Sequence, residues 1–224
     1  MGKRVAVLLA GCGALDGSEV HEASAVAVHL SRAGAQVEFY APDTDQVHVV
    51  DHVRGQLSKE RRNVLVESAR IARGSVRDLS SLRVAELDAL IIPGGFGVAK
   101  NLCTWALEGK DCTISRPVED AIRAFHSARK PLGLCCISPV LAAKILPGCE
   151  LTVGHDQESE IWPHAKTVAA LQELGCKHVS TNIDEVHVDA ENKLVTTSAF
   201  MCQAPVHQVH DGIGKMVREV LKLA

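Results

Sequence analysis

Apolar and polar positions along the chain alternate between two periods. RVAVLLA at Arg4–Ala10 is continuously apolar after its arginine and reads as a strand buried on both faces. Glu19–Ala33 follows with apolar residues at helical spacing, stopped by Gly34, a residue suited to a left-handed helix end. Gln36–Ala41 is strand-like and ends at Pro42; Arg62–Arg73 has a helical period and ends at Gly74. DALIIP at Asp88–Pro93 is a second continuous apolar run, closed by Gly94-Gly95, and predicts a central strand. Pro117–Ala128 is helical, with Ser115 as N-cap and Pro117 in the first turn. Pro131–Cys135 is a short strand, Ser138–Leu146 a helix, Cys149–Val153 a strand, and His164–Leu174 a helix ended by Gly175. Asp184–Asp189 and Leu194–Ser198 form a hairpin around Glu191-Asn192, and Pro205–Leu223 is a terminal helix.

This rhythm predicts an α/β fold: a doubly wound, mostly parallel sheet with helices on both faces, three layers deep, plus a small β-hairpin. There is no internal repeat or low-complexity stretch, and 224 residues suit one domain spanning 1–224. In such sheets a ligand sits beyond the carboxyl ends of the strands. Three turns therefore matter most: those after Ala10, Pro93 and Cys135.

Composition narrows the function. A hydrophobic share of 46% excludes a disordered chain. Lys+Arg 24 against Asp+Glu 27, a net charge of -3, offers no basic surface for nucleic acid. At 3% aromatic residues a base-stacking platform is excluded too, and the core falls to Ala, Val, Leu and Ile. No apolar run reaches the roughly 18 residues of a membrane span, and the start lacks a signal-peptide layout. The eight cysteines are scattered with no C-x-x-C, which points to reduced thiols rather than a disulfide framework. His48 with His52, His155 with Glu158, and His21 with Cys12 each lack a third ligand fixed by spacing, so no metal is expected. The dinucleotide fingerprint and the P-loop are both absent, so no nucleotide cofactor is expected. Arg54–Arg62 (RGQLSKERR) reads as a solvated loop; Trp105 and Trp162 read as core packing, with a pocket rim or an oligomer contact as the alternative.

The turn after Cys135 carries the strongest chemical signal. Leu132 to Pro139 (LGLCCISP) runs from an apolar strand straight into a helix. Cys135 should finish the strand and Cys136 should occupy the turn, where the helix N-terminus and free N–H groups favour a thiolate. This is a cysteine nucleophile elbow, with the Ile137 N–H as an oxyanion donor. The same pattern also admits two small buried hydrophobes. Gly94 and Gly95 let the backbone approach a ligand, and the Gly95 N–H is a second oxyanion donor. Glu19 and Glu22 open the first helix and face the crevice; a carboxylic acid beside a thiolate is a general acid/base pair, whereas either glutamate alone also complements the helix dipole.

Strand–Gly-Gly followed by strand–Cys–helix, with Pro139 three residues after Cys136, resembles the ThiJ/PfpI superfamily, whose fold is class I glutamine amidotransferase-like. Within it the chain is similar to bacterial ElbB-type proteins, and more so to their vertebrate mitochondrial homologues of the ES-one type. The matching stretches run end to end: Gly11-Cys12-Gly13, Asp16 to Ala23, Ile92 to Gly97, Ala99 to Leu102, Cys136 to Pro139 and Val195 to Ala199. The resemblance implies Cys136 as nucleophile, Glu22 as its partner carboxylate, Gly95 and Ile137 as oxyanion donors, and His155 as a histidine near the cysteine. It places Gly94, Cys12 and Ser138 in the substrate pocket. It also implies a mitochondrial location and a homodimer. Two departures limit the activity. The late histidines read His207-Gln208-Val209-His210-Asp211 and lack His-x-Glu, which argues against glutamine hydrolysis; Ile137 stands where the proteases of the superfamily have histidine, which argues against proteolysis. The expected activity is glyoxalase-like, of the D-lactate dehydratase (lyase) type, on a small carbonyl substrate without cofactor. The alternative is a non-enzymatic, redox-sensing or regulatory protein with an oxidisable elbow cysteine.

Overall fold

The computed structural model describes residues 2–224. The first half runs β1 (Arg4–Leu8), α1 (Val20–Arg32), β2 (Gln36–Ala41), β3 (Val50–Asp51), β4 (Gln56–Leu57), α2 (Val64–Ile71), β5 (Val76–Asp78), β6 (Ala89–Ile92) and α3 (Trp105–Glu108). The second half runs α4 (Arg116–Ser127), β7 (Leu132–Cys135), α5 (Pro139–Ile145), β8 (Glu150–Leu151), α6 (Lys166–Glu173), β9 (Lys177–His178), β10 (His187–Asp189), β11 (Leu194–Thr197) and α7 (Val206–Leu223).

Seven strands form the central sheet in the order β10-β11-β7-β6-β1-β2-β5. All of its neighbours pair in parallel except β10 with β11, the hairpin. The chain winds outward from β1 through β2 to β5, then returns on the other side of β1 through β6 and β7. That reversal opens a crevice at the carboxyl ends of the inner strands. β1, β6 and β7 are continuously apolar because helices cover both faces, and from Val5 through Ala10 the chain is fully buried.

The structure shortens several predicted elements and moves two. Cys149–Val153 contributes only Glu150–Leu151, and these pair with β9 in a separate two-stranded ribbon. Arg54–Arg62 is not wholly loop, since Gln56–Leu57 pairs antiparallel with Val50–Asp51. All eight cysteines are unbonded. The parallel ribbon nevertheless brings the Cys149 and Cys176 sulfurs to 3.7 Å, a juxtaposition that their sequence separation hides. At the amino ends of the strands the Lys3 ammonium donates to the Ala224 carbonyl at 2.6 Å, so the start and finish of the described chain lie side by side.

Candidate functional site

β7 ends at Cys135 and α5 starts at Pro139, so three residues must reverse the chain. Cys136 does this with φ 60, a left-handed conformation that costs an L-residue about 1–2 kcal/mol. Surrounding hydrogen bonds hold it there. The Cys136 N–H donates to the Thr197 carbonyl at 3.1 Å, and the Ser138 N–H to the Cys135 carbonyl at 3.1 Å. The Ser138 hydroxyl, fully buried, accepts from the Cys135 N–H at 2.9 Å and donates to the Ile92 carbonyl at 2.7 Å. It therefore ties the elbow to the neighbouring strand. Ser138→Ala is expected to leave both backbone groups unpaired and to cost about 1–3 kcal/mol, read as a lower urea midpoint with an unchanged m-value.

Glu22 comes from the first turn of α1, and its side chain is fully buried. Its two oxygens are pinned by backbone donors from different elements: the Gly94 N–H at 2.8 Å and the Phe200 N–H at 3.2 Å. Glu19 sets the helix start, its carboxylate accepting from the Glu22 N–H at 2.7 Å while its own N–H donates to the Gly94 carbonyl at 2.9 Å. A Cβ on Gly94 would lie 2.6 Å from the Glu22 carboxylate and 2.9 Å from the Cys136 sulfur, so acid and thiol share the space that this glycine leaves open. The Cys135 thiol donates to the same carboxylate from 3.7 Å.

The electrostatics differ from the simple elbow expectation. Burial, then the Glu22 charge, hold the Cys136 thiol well above its usual range, although the Gly95 and Ile137 N–H groups act in favour of the thiolate. Burial, then the charge of Glu19, push Glu22 up to about 7 despite its two backbone donors. A short helix N-terminus does not offset a dry site that already contains a carboxylate. The buried carboxyl and the thiol beside it are thus each pushed toward the neutral form.

In front of the sulfur is a cavity of about 620 Å³. Cys136, Gly95 and Ile137 border it, and its walls include Leu15, Phe96, Trp105, Phe200 and Met201. Cys136 itself is only 8% exposed. Sequence reasoning missed most of these walls. Trp105, for which a pocket rim stood as the alternative to core packing, lines the cavity, as do His164 from the segment before α6 and Cys202. The Phe200 N–H that anchors Glu22 leaves no side-chain signature.

Cys136, Glu22, Gly94, Gly95 and Ile137 come together as one constellation. The other three candidates lie around it. Ser138 is buried beneath the elbow and acts on the backbone. The Cys12 thiol is pushed up by burial, and the charges acting on it are those of Glu67, Arg70, Asp16 and Arg62 rather than Glu22. His155 follows Gly154, which turns the chain with φ 108, and its ring stacks on Trp162 at 4.7 Å with Asn182 as hydrogen-bond partner. It is not among the residues lining the cavity. No cluster of three or more His, Cys, Asp or Glu side chains suited to a metal ion occurs among the described residues.

No family model matches the chain. It is 59% identical over 222 residues to the human glutamine amidotransferase-like class 1 domain-containing protein 3, mitochondrial, covering 98% of this chain and 83% of that protein. Against the rat ES1 protein homolog, mitochondrial, identity is 57% over 222 residues, covering 98% and 84%. Among solved structures, an isoprenoid biosynthesis protein with an amidotransferase-like domain from Ehrlichia chaffeensis superposes with TM-score 0.89 at 37% identity, covering 99% of each chain. A ThiJ/PfpI domain protein from Brachyspira murdochii, at 14% identity and TM-score 0.59 over 99% and 97% of the two chains, shares the fold. No helix among the described residues is long and apolar enough to cross a membrane.

Proposed function

The chain belongs to the ES1 family of glutamine amidotransferase-like class 1 proteins, within the ThiJ/PfpI superfamily, and from that premise we propose that it is a cysteine-dependent, glutathione-independent enzyme of glyoxalase type. The observation that carries the reading is the Cys136 sulfur at the cavity, flanked by two backbone N–H groups and by a buried carboxylate that titrates at about 7. A carboxyl tuned to neutrality both takes and returns protons at working pH.

Glu22 accepts the Cys136 proton, and the thiolate adds to the aldehyde carbon of an α-oxoaldehyde, R–CO–CHO. The Gly95 and Ile137 N–H groups hold the alkoxide oxygen, which then takes a proton to give the hemithioacetal. Glu22 next moves the carbon-bound proton from the former aldehyde carbon to the neighbouring carbon. The product is the thioester R–CH(OH)–CO–S–Cys136. Water hydrolyses it to the hydroxy acid and restores the thiol, so one water is added and no net redox change occurs. Methylglyoxal gives lactate and glyoxal gives glycolate. Mitochondrial location, which the human and rat relatives carry in their names, and homodimeric assembly belong to the same proposal.

Cys136→Ser is expected to lower glutathione-free loss of methylglyoxal by at least ~10³-fold, to background, with lactate formation lost in parallel. Wild-type turnover no faster than that of Cys136→Ser overturns the reading. A redox-sensing role is the alternative, with peroxide converting the Cys136 thiolate to sulfenic acid. The cavity in front of the sulfur supports substrate binding over that alternative, because a sensor needs access to oxidant but no shaped space.

A further inference from the structure

The cavity is much larger than the smallest substrates of the reaction just proposed. At about 620 Å³ it falls within the ~300–1,000 Å³ of clefts that enclose drug-sized ligands. A three-carbon dicarbonyl needs the space of only about two or three water molecules at ~30 Å³ each. Held at Cys136, such a molecule leaves most of the cavity to solvent. The walls are also the wrong chemistry for water. Phe96, Trp105 and Phe200 present rings, and Leu15 and Met201 aliphatic surface. The whole chain has only seven Phe, Trp and Tyr residues, and three of them line this one space.

We propose, resting on the carbonyl reading above, that the site takes α-oxoaldehydes carried on an apolar, ring-sized body such as an aryl group, with the dicarbonyl at Cys136 and the body between the aromatic walls. Two features couple that body to the chemistry. Phe200 lines the cavity while its N–H holds the Glu22 carboxylate at 3.2 Å, so a body seated against this residue presses on the segment that positions the base. Ala199, beside it, has φ 44, and this strained turn is a place where binding energy can tighten geometry. Phe96 is 47% exposed at the mouth, with the Lys100 ammonium 5.5 Å from its ring centroid, which leaves a large apolar surface uncovered until a ligand covers it. His164, Thr167 and Gln203 are the polar groups along the border and suit the polar substituents of such a compound.

The test compares phenylglyoxal, converted with one water to mandelate, against methylglyoxal on the full chain without glutathione. The expected kcat/KM ratio is about 30-fold or more in favour of the aryl compound, the order that one ring of buried apolar surface supplies. Trp105→Ala is expected to narrow that ratio to less than about 5-fold. Titration calorimetry of the unmodified protein gives a readout independent of turnover, and mandelate is expected to bind at least about 30-fold more tightly than lactate. Turnover of both aldehydes with equal kcat/KM, and no preference for mandelate, overturns this inference and leaves the carbonyl reading standing. Tight mandelate binding with neither aldehyde consumed supports the apolar cavity as the ligand site and overturns the carbonyl chemistry. Loss of both turnover and mandelate binding overturns both.

Discussion

Glu22→Gln is expected to remove carbonyl turnover and, in the same protein, to abolish a loss of stability that the wild type suffers on the alkaline side of neutrality. The buried carboxyl is raised from 4.5 to about 7 by burial and the charge of Glu19. Its folded value lies above its unfolded one, so its favourable contribution is complete below about pH 4.5 and is lost as pH rises through about 7. At about 1.4 kcal/mol per tenfold, the charged form weakens the fold by roughly 3 kcal/mol. Urea denaturation at about pH 5 and about pH 8 should therefore show the wild type losing ~2–3 kcal/mol relative to the Glu22→Gln variant, whatever fixed offset the amide introduces at Gly94 and Phe200. Turnover should fall by about 10²–10⁴-fold, the usual contribution of a general base. The rising limb of kcat/KM near pH 7 should vanish with it, since an amide cannot accept the thiol proton. A wild type whose stability is flat between those two pH values would show that Glu22 is not held protonated by burial.

Gly97→Ala is expected to destabilise the fold strongly through a single added methyl. Gly97 has no unusual backbone conformation: its φ is -60. The obstacle is space alone. An added Cβ would sit 2.5 Å from the Gly17 carbonyl carbon and 2.6 Å from the Ala10 oxygen, and it would overlap the Gly17 Cα. All three atoms are backbone, and none can rotate away. The Gly97 N–H also donates to the Gly17 carbonyl at 2.9 Å, so the turns after β1 and β6 are fastened at this contact. Overpacking a rigid contact of this kind costs about 3 kcal/mol or more. The expected result is a correspondingly lower urea midpoint, together with loss of turnover as the first turn carries Glu22 away from Gly94. Wild-type stability in Gly97→Ala would mean that the two turns are not in rigid contact.

The inner sheet and its elbow were legible because each rests on a local pattern. Arg4–Leu8, Ala89–Ile92 and Leu132–Cys135 are short runs of buried apolar residues closed by small or turn-forming ones, and the residue after the last run must bear the reversal. That logic put Cys136, Gly95 and Ile137 in one crevice, with Glu19 and Glu22 both facing it; the choice of Glu22 rested on the family resemblance. Val76–Asp78 escaped notice because an edge strand of three residues with one apolar side chain has no readable period. The aromatic walls were harder to read for a different reason. Trp105 sits on a helix of four residues, and Phe200 on a single 3-10 turn, so long-range packing rather than local preference aims them. His155 shows the converse limit: closeness to a strand end along the chain does not survive one glycine with positive φ.

The meeting of Lys3 with Ala224 makes the chain almost a closed ring. Its seam lies at the amino ends of the strands, on the side away from the cavity. A peptide linker across that seam, with new ends cut in the exposed turn at Gly148, would be a circular permutant whose crevice is assembled from the same three turns. By the same geometry, a segment fused at either end of the described chain meets the body of the protein where it cannot obstruct entry to the thiol.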